Sequence, residues 1–159
     1  MATKDEGLLW LFSQRQSFRK LPNHEDYNSY LKSILICANG DGTLAPEERD
    51  WVVGFASAFG APDSLVEELK SYKADEDIEK MISNTPSANA SRRFLVHDAI
   101  MACSADGEYS DLERATITKM AAKLGISQDT VEQIERICIE EIELREKRVK
   151  LVYPEGPPL

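Results

Sequence analysis

Apolar side chains recur every three or four residues through most of this chain, the period of an amphipathic helix. Val52, Phe55, Ala56 and Phe59 follow an i, i+3, i+4, i+7 pattern, and so do Ile117, Met120, Ala121 and Leu124. No stretch sustains the period-2 alternation with β-branched enrichment that marks a strand. Breakers interrupt the pattern at Leu21-Pro22-Asn23, Asn39-Gly40-Asp41-Gly42, Gly60-Ala61-Pro62, Ser83-Asn84-Thr85-Pro86, Asp106-Gly107 and Gly125-Ile126-Ser127. The first predicted helix covers roughly 4–20, with Leu8, Leu11 and Phe12 on one side. The second covers roughly 24–39, with Tyr27, Tyr30, Leu31, Ile34 and Leu35 inward. Pro46 opens the third, because proline suits a first helical turn. The last runs from Gln128 to about Lys150 and stops at a proline-rich tail, 151–159. The pattern predicts an all-α fold: one compact bundle of about seven to eight helices over 1–150.

The helical pattern repeats. Asp41-Gly42 recurs as Asp106-Gly107, and sliding the chain by that offset of 65 gives a gapless match. Glu48 falls on Glu113, Arg49 on Arg114, Ala56 on Ala121, Gly60 on Gly125, Val66 on Val131 and Glu67 on Glu132. Leu44 falls on Tyr109. Two copies of a helix–loop–helix unit, about 26–70 and 92–138, are expected to pack face to face about a pseudo-twofold axis, joined by a segment from about 73 to 91.

Composition narrows the function. The 159 residues are 42% hydrophobic, enough for a core that needs no disulfide or metal. Asp and Glu number 28 against 19 Lys and Arg, for a net charge of −9. That balance disfavours nucleic acid, whose phosphates require a cationic face, and favours a multivalent cation or a basic protein surface. Cys37, Cys103 and Cys138 form no C-x-x-C pair, and they read as buried thiols in a reducing compartment. The early apolar run, Leu8 to Phe12, is too short for a membrane span or a secretory segment. These features predict a cytoplasmic protein with no transmembrane segment; basic clusters at Arg15, Arg19 and Lys20, at Arg92 and Arg93, and at Lys147, Arg148 and Lys150 read as solvated helix faces and leave peripheral membrane association open.

The repeated loops carry the candidate chemistry. Each reads Asp-Gly, then five residues, then Glu, which is the second half of an EF-hand calcium loop. The first half is missing, since Cys37 and Ala102 stand where such a loop opens with Asp. If the twofold joins the loops, Asp41, Glu48, Asp106 and Glu113 offer hard oxygen donors for calcium, magnesium or manganese. A structural reading competes: Asp-Gly is a common turn, and Ser110-x-x-Glu113 matches a helix capping box.

These residues resemble the tellurite-resistance TerB-like family, which includes the amino-terminal domain of a membrane-anchored DnaJ-type co-chaperone. The resemblance rests on two helices that end in an Asp-Gly turn with Glu seven residues after the Asp. Here they are Ile36-Cys37-Ala38-Asn39-Gly40-Asp41-Gly42 with Glu48, and Met101-Ala102-Cys103-Ser104-Ala105-Asp106-Gly107 with Glu113. Copy one departs from the pattern in having Asn39-Gly40 before its Asp. The resemblance implies a cytoplasmic stress-response module whose paired acids bind a divalent metal and which acts through protein partners without catalysis. Two alternatives stand beside it: a metal-dependent hydrolase using the four carboxylates, and a purely structural partner-binding domain with the tail as an extended ligand. Several enzyme classes lack their residues. His24-Glu25-x-x-Asn28 has no second His for a zincin helix, and there is no Glu-x-x-His pair, Walker loop or G-x-S-x-G. His97 and Asp98 are neighbours on a predicted helix, so they are expected to point apart, with His97 solvated or capping.

Overall fold

Asn23 starts the first helix of the repeat through a reciprocal cap: its side chain accepts from the Asp26 N–H at 2.9 Å, and Asp26 accepts from the Asn23 N–H at 3.0 Å. The structure, a computed structural model, describes residues 3–159. Among the described residues it contains nine helices and no strand. They are α1 (Thr3–Gln16), α2 (His24–Ala38), α3 (Pro46–Ala58), α4 (Asp63–Leu69), α5 (Ile78–Ile82), α6 (Pro86–Asn89), α7 (Arg92–Cys103), α8 (Asp111–Lys123) and α9 (Gln128–Val152). The all-α bundle expected from the periodicity is the observed fold. α1 stops four residues short of its predicted end, because Ser17 turns to a φ of 58°, outside the helical region.

The repeat is nearly exact in the backbone. α3 and α8 begin and end at positions related by the same offset of 65, and α2 and α7 end at matched residues. Asp41 and Asp106 each fold back on the second N–H that follows, Thr43 at 2.9 Å and Glu108 at 3.0 Å. Gly42 and Gly107 supply the positive φ those turns demand, at 83° and 90°. α2 and α7 form the central pair. α3 also packs on α7 and α8 also packs on α2, which is the exchange a pseudo-twofold requires. Ile34, Leu35 and Cys37 of α2 and Leu95, Val96 and Ala99 of α7 are wholly buried. Each large aliphatic side chain removed from water here contributes roughly 1.5–3 kcal/mol.

The joining segment is more than a tether. It holds α5 and α6, and it buries Ile78, Ile82 and Ala88 in the common core. Helices of five and four residues are too short to show a helical period, so the sequence pattern did not reveal them. α9 continues to Val152, and residues 153–159 beyond it are exposed.

Gly40, the departure in copy one, has a packing reason. A Cβ at Gly40 would lie 2.7 Å from Met120 Cγ and 2.8 Å from Thr116 Cγ2, so α8 closes directly on the end of α2. The matched residue in copy two is Ala105, which is exposed. Gly40→Ala is expected to destabilise the protein by about 1–3 kcal/mol through overpacking, measured by urea unfolding. Ala105→Gly makes the control, with no clash to introduce or relieve.

Candidate metal centre

α2 ends at Ala38 and α7 at Cys103, and an Asp-Gly loop follows each. Cys37 and Cys103, both buried in the last turns of those helices, sit beneath the loops as free thiols. Burial pushes the Cys37 thiol up to about 12. Burial also raises Cys103, and the charges of Glu48, Glu113 and Asp41 raise it further. The thiols are therefore protonated packing groups at neutral pH, as expected from their apolar surroundings.

The four predicted acids are not equivalent. Asp41 and Asp106 are exposed, Glu113 is half-buried, and Glu48 is only 6% exposed. Burial pushes the Glu48 carboxyl up to about 7. The charges of Glu113, Asp41 and Asp106 add to that shift, while the Ala45 backbone N–H opposes it. Acids of both repeats therefore act on Glu48, which lies within electrostatic reach of the second loop. Glu48 Oε2 is buried without a hydrogen-bond partner. A buried carboxylate oxygen left unpaired costs free energy, so this one is an acceptor in want of a donor or a cation. Each of the other three acids has one oxygen committed: Asp41 to Thr43, Asp106 to Glu108, and Glu113 to the Ser110 N–H at 2.9 Å. The Glu113 bond completes the capping box read in the sequence, so that acid serves its helix as well. Among the described residues no three His, Cys, Asp or Glu side chains converge on one point as a ready-made cage. The donor set is all oxygen, which suits a hard cation.

Tyr109 borders the same loop and was not singled out in the sequence beyond its match with Leu44. Its hydroxyl is buried and has no partner, and burial raises its pKa well above the ordinary value. The Arg114 guanidinium lies 5.3 Å from its ring centre and pairs with Glu135 at 2.8 Å.

A second polar centre lies away from the acids. Asp98 is wholly buried on α7. It accepts from Tyr30 Oη at 2.6 Å, pairs with Arg15, and meets His97 Nδ1 at 3.0 Å. His97 Nε2 in turn meets Glu141 of α9 at 2.9 Å. Burial opposes a charge on His97, but Asp98 and the neighbouring Cys138 together lift the pKa to about 10. Both ring nitrogens thus face a carboxylate, Asp98 on one side and Glu141 on the other. This corrects the expectation that His97 and Asp98 point apart. They do leave the helix in different directions, but the Nδ1 side of the ring reaches back to its neighbour.

Relatives locate this architecture. No family model matches the chain. No curated protein matches it either. Among solved structures it is similar to a tellurite-resistance protein from Nostoc punctiforme, at 39% identity over the whole of both chains and a TM-score of 0.95. The chain belongs to the TerB-like tellurite-resistance family. Among the described residues of this TerB-like protein, no helix is long and apolar enough to cross a membrane. Two of its basic residues are not the solvated groups expected. Arg15 lies 4.8 Å from the Phe55 ring centre and 4.7 Å from that of Phe94, in addition to its pairing with Asp98. Arg92 is held by Glu79 at 2.5 and 2.7 Å and reaches the Leu124 carbonyl at 3.3 Å. Arg19, Lys20, Arg93, Lys147, Arg148 and Lys150 are exposed as expected.

Proposed function

We propose that this TerB-like chain is a non-catalytic stress-response module that binds a divalent cation between its two acidic loops and acts through protein partners. Asp41, Glu48, Asp106 and Glu113 are the ligands, with calcium, magnesium or manganese the cations that suit them. The observation that carries the reading is the unpartnered, buried Glu48 Oε2 in the field of the other three acids. Capping alone accounts for Glu113, which bonds its own helix start. It leaves the Glu48 oxygen unexplained. A cation satisfies that oxygen and removes the repulsion among the acids in one step. Water and backbone carbonyls complete the coordination, since calcium takes about six to eight oxygen ligands. The reading agrees with the kind of protein its Nostoc relative is described to be, a tellurite-resistance protein.

Calorimetry tests it. Saturable heat is expected on adding calcium, magnesium or manganese to the unmodified protein. Asp41→Ala/Asp106→Ala should weaken binding by about tenfold or more, in line with losing two charged ligands. Equal heats from both proteins, or none from either, would sink the proposal.

A further inference from the structure

Several exposed large apolar side chains lie on α9. Ile137, Leu144 and Leu151 are seven residues apart and 49%, 63% and 78% exposed. The helix already spends another face on the body, through Val131 and Cys138, which are buried. Each of the three exposed residues precedes that row's register by one position, so their stripe lies about 100° round the helix from it. It is a row of one exposed apolar residue every seven, with Glu140, Glu141, Lys147 and Arg148 between them.

Charge identifies the occupant. On the flanks of the stripe Glu140 and Glu141 precede Leu144 and Lys147 and Arg148 follow it, whereas Arg136 and Glu146, of the opposite order, lie further round the helix. The order of sign inverts about Leu144, so the face is complementary to itself run backwards. An antiparallel copy centred on Leu144 places Ile137 of one chain beside Leu151 of the other and Leu144 beside Leu144. The same operation brings Glu140 towards Lys147 of the second copy, while Glu141 on the other flank stays with His97 of its own chain. Such a contact is isologous: one patch serves both chains and the assembly closes as a dimer. A parallel pairing would set like charges side by side at each of these positions.

The geometry points to an antiparallel homodimer of this chain through the Ile137–Leu144–Leu151 face of α9. Four turns of one helix pair make an interface at the low end of specific contacts, so the dimer forms and dissociates with concentration.

Sedimentation velocity on the full chain, from low to high micromolar, tests this. A monomer–dimer equilibrium is expected. Leu144→Glu should weaken it by about tenfold or more, because two carboxylates then meet at the centre. Leu144 is exposed, so the variant should keep the helical circular-dichroism spectrum of the parent. Glu140→Lys and Lys147→Glu should each weaken self-association by about three- to tenfold, and mixing the two variants should restore a dimer of one of each. A chain that stays monomeric throughout overturns the proposal. So does a dimer indifferent to Leu144→Glu, or a mixture that pairs no better than either variant alone. A chain that remains monomeric but floats with phosphatidylserine-containing vesicles assigns the same face to an anionic lipid surface, and likewise overturns it.

Discussion

Asp98→Ala is expected to cost about 3–5 kcal/mol of folding stability, the range for breaking one partner out of a buried ion pair. Asp98 is wholly buried and ties four helices together. Arg15 reaches it from α1, Tyr30 from α2, and His97 carries the link on to Glu141 of α9. Removing the carboxylate leaves the Arg15 guanidinium among Phe55, Phe59 and Phe94 with its counter-ion gone. The cation–π contacts offset a part, about 0.5–2 kcal/mol each where desolvated, but cannot replace a full charge. The Tyr30 hydroxyl loses its acceptor as well. Glu141→Ala removes a half-exposed partner and should cost less than about 1 kcal/mol. Urea unfolding of the two variants separates these outcomes. Asp98→Ala should also lower the His97 pKa from about 10 towards its ordinary 6.5, read by the ring proton shifts in NMR. A loss below 1 kcal/mol for Asp98→Ala would mean that α1 is held by its apolar side alone.

The second large effect concerns pH. Glu48 has its folded pKa raised from 4.5 to about 7, so the folded state holds a proton that the unfolded state has released between those values. Stability of the chelator-treated protein should therefore fall as pH rises from 4.5 through 7, and level off above. The charged groups acting on Glu48 are Glu113, Asp41 and Asp106, all of which favour the proton. At 1.36 kcal/mol for each unit, the loss is of the order of 3 kcal/mol. Glu48→Gln keeps the shape and removes the charge, so it should abolish this part of the slope and stabilise the metal-free protein at pH 8 by roughly 1–3 kcal/mol. Thermal unfolding across pH with and without Glu48→Gln gives the comparison. A variant that destabilises at pH 8 would mean that the Glu48 charge is already satisfied.

Much of the fold was legible because the repeat wrote it twice. Val52 and Ile117, or Ala56 and Ala121, occupy the same buried positions in their helices, so each copy confirmed the other. α5 and α6 were not legible, since a helix of one turn has no period to read. The four acids were visible through spacing alone, but their inequality was not. Only packing makes Glu48 buried while Glu113, its repeat mate, bonds Ser110. Copy one has Ala45 where copy two has the Ser110 cap, so Glu48 keeps the backbone N–H at its helix start but α3 has no capping side chain to complete the exchange. The Asp98 network was missed for another reason. Its partners come from α1, α2 and α9, too far apart in sequence for spacing to connect. A signal existed nonetheless: Asp98 falls one turn from Leu95 and Ala102 on the inward side of α7, and a charge at an inward position calls for a partner.

As the unsatisfied acceptor of the proposed cation site, Glu48 should respond to the cation before any other group. Carbon-detected NMR of the Glu48 side-chain carboxyl measures this directly. In chelated protein the carboxyl should titrate near 7; with saturating calcium, magnesium or manganese its shift should change and its midpoint should drop by one unit or more. A Glu48 midpoint that stays near 7 at every cation concentration would contradict the account.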